Sequence, residues 1–233
     1  MKERHYMRVF IIPYRDRLEH KTFFLNYLPN VVGESRVLFV HQCDARPFNR
    51  GAMKNIGFMA VKALYPDTYR ELDLVFNDVD IMPYTKGVFH FETEPGVIRH
   101  NYGYETCLSA SFVIKGGDFE RTNGFPNLWT WGLEDFIIQE RALAKGLRID
   151  RSRFRPVGSR AVLQFFDGVT RPMSAFGVAE TRARHLADGL STVQAIYKVE
   201  GDMVEVSAFS SQYPPDAVIV DKDLRRFPKI FMM

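Results

Sequence analysis

Two cysteines in 233 residues, Cys43 and Cys107, are too few for a disulfide framework, and no Cys-x-x-Cys pair is present to hold a structural zinc. No apolar run approaches the roughly 20 residues that a membrane-spanning helix needs. The N-terminal stretch MKERHYMRVFIIPYRDR has an apolar run of five or six residues, also too short for a signal-peptide core. Asn-x-Ser/Thr acceptor sites are missing as well. These absences together predict a cytoplasmic protein with no transmembrane segment. Neither Gly-x4-Gly-Lys-Ser/Thr nor Gly-x-Gly-x-x-Gly occurs, so P-loop and dinucleotide-binding readings lack their signatures. The formal net charge of +3 gives little ground for nucleic acid as a partner, while it suits a small anionic substrate. Linkers, internal repeats and low-complexity segments are absent, which predicts a single domain over residues 1–233.

What the chain has in quantity is aromatic: 20 Phe and 10 Tyr suit a ring-rich core or a ligand groove lined by rings. The apolar runs at 8–13 (RVFIIP), 36–43 (RVLFVHQC) and 72–76 (LDLVF) read as buried strands. Between them, 17–28 and 51–65 carry helical spacing. Strand, helix, strand, helix, strand predicts an α/β fold with a mostly parallel, Rossmann-like central sheet flanked by helices. Further on, 108–115 (LSASFVIK) reads as another strand, GGDFERTNGF as a run of turn signals, and 134–146 as a helix that Gly146 stops. IYKVEGDMVEVSAF alternates around Glu200-Gly201-Asp202, which predicts a C-terminal β-hairpin.

In LVFNDVDIMPY, residues 74–84, an apolar strand ends in Asp78-Val79-Asp80. Carboxylates in that position need a cationic counterpart, and in parallel sheets ligands sit beyond the carboxyl ends of the strands. Arg15 and Arg17 follow the first strand, and Arg50 opens the second helix. Guanidinium forks grip phosphate oxygens, and a hard cation bridges phosphate to carboxylate, so the set suits a diphosphate bound with a divalent cation. Each arginine is equally readable as a solvated surface charge. Trp129 and Trp131 read either as core aromatics or as a binding wall ahead of Glu134-Asp135. An acid in that place either complements the helix dipole or, where an aromatic wall lowers its solvation, serves as a general base.

Five blocks, IIPYRDR, FNRGAMKNIGF, VFNDVDIMPY, TNGFPNLWTWGLED and HLADGLSTV, run in order from about residue 9 to residue 200. Together they resemble the β-1,4-galactosyltransferase family (glycosyltransferase family 7). The resemblance implies a GT-A fold and an inverting transfer from a UDP-sugar, with Mn²⁺ as the favoured cation. It divides the chain into a nucleotide-binding half (about 8–85), an acceptor-side half (about 86–210) and a tail (211–233). It implies donor contacts from Pro13, Arg15, Arg17, Phe48, Arg50, Asp78, Val79 and Trp131. Asp80 is implied as the metal ligand, Asp135 as catalytic base with Glu134 beside it, and Tyr104, Trp131, Asp135 and Phe136 as the acceptor wall. The acceptor would be an oligosaccharide, polysaccharide or lipid-linked glycan.

The chain departs from the family pattern at several points. Phe165 stands near the position of a metal-binding histidine, which makes Asp167 the expected substitute ligand and admits Mg²⁺ beside Mn²⁺. Cys107 falls where galactosyl enzymes carry a donor-selecting tyrosine, and Ser174-Ala175 replaces an Arg-Phe pair that meets an N-acetyl group. The smaller Cys107 admits an N-acetylated donor, so galactose or N-acetylgalactosamine is the favoured donor sugar, while the Ser174-Ala175 replacement points to an acceptor other than N-acetylglucosamine. A non-catalytic sugar-nucleotide or glycan-binding module on the same fold is the alternative reading. The basic and apolar tail DLRRFPKIFMM reads as packed on the domain or touching a membrane peripherally.

Overall fold

The computed structural model describes residues 8–166, 168–174, 178–215 and 219–223. Its first half is β1 (Arg8–Tyr14), α1 (Leu18–Val31), β2 (Arg36–Gln42), α2 (Arg50–Leu64), β3 (Asp73–Asn77) and β4 (Ile81–Pro83). β5 (Val97–Gly103), β6 (Ser111–Lys115), α3 (Gly116–Arg121) and α4 (Glu134–Ala144) come next. Three short strands follow: β7 (Arg148–Asp150), β8 (Arg155–Pro156) and β9 (Val162–Gln164). The chain then runs through β10 (Thr170–Ser174), α5 (Val178–Arg184), β11 (Gln194–Glu200), β12 (Met203–Ser210) and β13 (Ile219–Asp223).

One sheet takes nine of these strands, in the order β11-β12-β2-β1-β3-β6-β5-β7, with β8 also paired to β5. β1 runs parallel to both β2 and β3. The reason lies in β1 itself: Val9 to Tyr14 are all buried, as in a strand covered on both faces. Side-chain alternation splits that run between two cores. Val9 and Ile11 pack with Met53, Ile56 and Val61 of α2, while Phe10 and Ile12 pack with Phe24 and Leu28 of α1. Truncating a ring such as Phe39, wholly buried on the α1 side, would cost about 3–5 kcal/mol. Gly57 lets α2 approach the sheet closely, since a Cβ there would lie 2.4 Å from Ile11 Cγ2.

The predicted α/β order holds through β3, and three details differ further on. The strand expected over 108–115 begins at Ser111, because Ala110 turns the chain at φ 59°. GGDFERTNGF, read as turn signals, opens with the helix α3. The hairpin around Gly201 forms as β11–β12, yet β12 also lies parallel to β2 and so belongs to the central sheet. No helix among the described residues is long and apolar enough to cross a membrane. Asp167, Ala175 and the tail from residue 224 lie outside the described residues.

Candidate active site

The loops after β1, β2 and β3 gather at the carboxyl ends of these strands, with residues at the starts of α2 and α4 lining the same cavity. Gln42, fully buried at the end of β2, organises the loop that follows. Its amide donates to Asp44 Oδ1 (2.8 Å) and the Pro47 carbonyl (3.0 Å), and its oxygen accepts from Asn49 N (2.8 Å). Asn49 then caps α2 by accepting from Ala52 N at 2.9 Å. Arg15 donates to the Arg46 carbonyl (2.7 Å) and lies over the Phe48 ring at 5.1 Å.

The loop before α4 is held from both sides. Asn55 donates to the Phe125 carbonyl (2.7 Å) and accepts from Phe125 N (2.9 Å). Gly51 has no room for a side chain there, as a Cβ would sit 2.0 Å from the Pro126 carbonyl oxygen. Asp188, fully buried, accepts four hydrogen bonds, two from Asn127, one from Thr192 and one from His185 Nδ1. Burial works against its charge, but the contacts with His185, Thr192 and Asn127 outweigh it and hold the carboxyl below its usual range. Through the buried Asp188 and His185, HLADGLSTV thus anchors NGFPNLW. Trp129 is a core residue, stacked on Phe209 at 5.0 Å and bonded to the Tyr213 carbonyl (2.9 Å). Two residues on, Trp131 faces the site, tied by its backbone to Pro172 (2.7 Å). Gly132 (φ 99°) and Leu133 (φ 70°) then swing the chain into α4, which begins with Glu134 and Asp135.

Two cavities meet here. The first, of about 420 Å³, is lined by Pro13, Arg15, Arg17, His20, Phe48, Arg50, Asp78, Val79, Asp80, Trp131, Glu134 and Arg171, among others. The second, of about 330 Å³, is lined in part by Tyr104, Cys107, Asp135, Phe136 and Met173. Arg50, Asp78, Asp80, Thr130, Trp131, Glu134 and Arg171 border both. Every residue expected around a donor therefore lines the first cavity, and every residue expected around an acceptor lines the second.

Arg50 Nη2 lies 2.7 and 2.6 Å from the two Asp78 oxygens, and its Nη1 lies 3.6 Å from Glu134 Oε1. Lys54, almost wholly buried, sits 3.5 Å from Asp135 Oδ1 and 4.3 Å over the Phe125 ring. Burial opposes the Arg50 charge, yet Asp78, Asp135, Glu134 and Asp80 together hold it protonated well above the usual arginine range. Glu134 is pushed up, by burial first and then by Asp135, against the pull of Arg50 and Lys54. Its Oε2 is buried with no hydrogen-bond partner. Burial and the charge of Asp135 push the Cys107 thiol up to about 12, so it stays neutral in the second cavity. Four carboxylates, Asp78, Asp80, Glu134 and Asp135, thus meet Arg50, Lys54 and the bordering Arg171 at this junction.

Phe165 turns away from this junction. Its backbone N donates to the Asp80 carbonyl (2.9 Å), while its ring stacks on His20 (5.6 Å) and meets Phe23 edge-on (4.7 Å). His20 lines the first cavity and its Nδ1 is buried without a partner. Sequence reasoning missed His20, Lys54 and Arg171. His20 and Lys54 look like ordinary helix-surface residues, and only the fold turns them inward.

Two sequence profiles match the chain: the N-terminal region of glycosyl transferase group 7 over residues 3–90, and the N-terminal domain of galactosyltransferase over residues 90–161. The chain belongs to glycosyltransferase family 7. The similarity extends to individual relatives of this family 7 chain. It is 32% identical over 154 residues to the xylosylprotein 4-β-galactosyltransferase of Caenorhabditis elegans, covering 60% of this chain and 52% of that protein. It is 27% identical over 199 residues to human β-1,4-galactosyltransferase 2, covering 79% and 53%. The chain thus spans about half the length of these curated relatives. A crystal structure of a mutant Drosophila β-1,4-galactosyltransferase 7, in complex with manganese, UDP-Gal and xylobiose, superposes with a TM-score of 0.66. At 19% identity, over 87% of this chain and 94% of that one, it establishes a shared GT-A fold.

Proposed function

We propose that this family 7 chain is an inverting glycosyltransferase that moves a hexose or N-acetylhexosamine, galactose favoured, from a UDP-sugar to a glycan hydroxyl. The observation that carries the reading is the meeting of two cavities at Asp78, Asp80, Glu134 and Trp131. Donor and acceptor would enter from opposite sides of that border. Pro13, Arg15 and Phe48 would flank the nucleotide base, and Arg17 and Arg171 would face the diphosphate as charge-matched donors.

The residues present fit a divalent cation. Asp78 and Asp80 border both cavities, and His20 Nδ1, on the wall of the first, is a buried nitrogen without a hydrogen-bond partner. Asp80 and His20 would hold the cation, Mn²⁺ in keeping with the related Drosophila complex, with Mg²⁺ as the oxygen-favouring alternative. Bound there, it would neutralise the charge that builds on the departing UDP.

Asp135 takes the proton from the acceptor hydroxyl as its oxygen bonds to C1 of the donor sugar. The C1–oxygen bond to UDP breaks on the opposite face, which inverts the anomeric centre. Lys54 holds Asp135 in place and balances its charge. Glu134 Oε2 accepts a hydrogen bond from a sugar hydroxyl, and Trp131 covers the sugars at the border of the two cavities. The neutral Cys107 thiol, on the wall of the second cavity, leaves more room there than a tyrosine would.

A thermal-shift screen of UDP-Gal, UDP-GalNAc, UDP-Glc and UDP-GlcNAc, each with Mn²⁺, Mg²⁺ or EDTA, tests the donor half. The expected result is a metal-dependent rise in melting temperature that Asp80→Ala removes. Transfer assays with xylosides, oligosaccharides and lipid-linked glycans test the other half, with Asp135→Asn binding donor but failing to transfer. Silence with all four nucleotides would sink the reading.

A further inference from the structure

Away from this border, the carboxyl end of β2 carries a second group of ligating atoms. In the parallel pairing of β12 with β2, Glu205 stands opposite His41, and Cys43 follows on the same face two residues later. His41 Nδ1 lies 2.7 Å from Glu205 Oε2, Cys43 Sγ lies 3.1 Å from that oxygen, and Sγ and Nδ1 are 3.6 Å apart. We propose that His41, Cys43 and Glu205 form a second metal site, selective for Zn²⁺, that staples β12 to β2 beside the donor cavity.

The triangle decides the question of fit. Its circumradius is about 1.9 Å from those three sides, so a point roughly 2.0–2.3 Å from all three atoms exists, about an ångström off their plane. Those are zinc-to-nitrogen, zinc-to-oxygen and zinc-to-sulfur distances. A tetrahedral ion needs its ligand atoms roughly 3.3–3.6 Å apart, so one carboxylate rotation of about half an ångström completes the arrangement. A nitrogen, a sulfur and an oxygen suit a borderline ion, whereas Mg²⁺ and Mn²⁺ prefer oxygen-rich sets. The site is therefore chemically distinct from the one proposed at Asp80. Cys43 is exposed and the other two residues are half-buried, so an ion can enter and keep a water as fourth ligand.

The position gives such an ion leverage on the donor cavity. The His41 ring rests edge-on against Tyr14 at 5.5 Å, between Pro13 and Arg15 in sequence. Cys43 begins the loop that Gln42 and Arg15 hold and that presents Phe48. Fixing Cys43 to both strands fixes the root of that loop.

The test is a Co²⁺ titration of the purified, reduced chain in the presence of excess Mg²⁺. One equivalent is expected to produce a thiolate-to-cobalt charge-transfer band that Zn²⁺ bleaches. Asp80→Asn should keep the band and Cys43→Ser should abolish it. His41→Ala and Glu205→Gln should each weaken Co²⁺ binding beyond the roughly 10–100-fold that loss of an outer partner costs. A band unaffected by both of those variants would mean adventitious thiol binding and overturn the site, as would no band at all. Because Asp80→Asn disables only the cation proposed for transfer, failure here and failure of the transferase reading are separable.

Discussion

Replacing Asp188 with Asn tests whether the HLADGL segment is the keystone of the candidate site. The change keeps shape and removes one charge. Each Asp188 oxygen accepts two hydrogen bonds, Oδ2 from Asn127 N (2.7 Å) and His185 (2.8 Å), Oδ1 from Asn127 Nδ2 (2.7 Å) and Thr192 (2.6 Å). An amide nitrogen at Oδ2 would face Asn127 N–H donor to donor, and at Oδ1 it would face Asn127 Nδ2. Either orientation leaves one buried donor unpaired, at about 1–3 kcal/mol. The two surviving bonds fall from charge-assisted to neutral strength, each losing about 1 kcal/mol. The expected destabilisation is thus about 3–5 kcal/mol. Urea unfolding followed by tryptophan fluorescence reads it directly, since Trp129 and Trp131 sit on the loop that Asp188 anchors. With a slope near 3 kcal/mol per molar, the midpoint should drop by roughly 1–1.7 M. A drop below about 0.3 M at unchanged slope would refute the anchoring role.

Other consequences can be measured with the same protein. Gly51→Ala forces a Cβ within 2.0 Å of a backbone oxygen and should cost about 1–3 kcal/mol in a thermal melt, with weaker donor binding because Arg50 moves with the helix start. His100 is buried, and burial together with Arg151 brings its pKa down to about 4. The unfolded chain takes up that proton near pH 6.5, so stability should fall by about 3 kcal/mol between pH 6.5 and pH 4, and His100→Gln should flatten the urea midpoint over that range. Lys54→Met removes the ammonium beside Asp135 and should lower the transfer rate at least tenfold while leaving UDP binding within about twofold, by calorimetry and steady-state assay. His20→Phe should weaken Mn²⁺-dependent UDP binding and leave binding in EDTA unchanged; equal loss in both would show that the ring only packs against Phe165.

The part of the fold legible in the sequence was the part made by local pattern. Six apolar or aromatic residues in a row in β1, with Val9 and Ile11 on one face and Phe10 and Ile12 on the other, mark a central strand by pattern alone. The aspartates after β3 were legible for the same reason, because they interrupt an apolar run. What the pattern hid depends on contacts made far along the chain. Lys54 reads as a solvent-facing helix residue, yet the loop around Phe125 covers it, and nothing local signals that cover. β5 contains Arg99, His100 and Asn101, and it becomes a strand only because β6 and β7 lie on either side. Trp129 and Trp131 were ambiguous as a pair, and it took the backbone bond from Trp131 to Pro172 to separate core from site.

The place of β12 in the sheet governs how the chain must be made. His41 and Glu205 are neighbours in space but 164 residues apart. Until β12 has left the ribosome, the Val-Leu-Phe-Val run of β2 is an unpaired, apolar sheet edge, a template for pairing with other chains. At 5–20 residues per second, that edge stands open for roughly ten to thirty seconds in each round of synthesis. Slow elongation downstream of β2, or a chain cut before Met203, would turn this interval into a route to aggregation, so the yield of folded protein depends on the last strand of the central sheet to arrive.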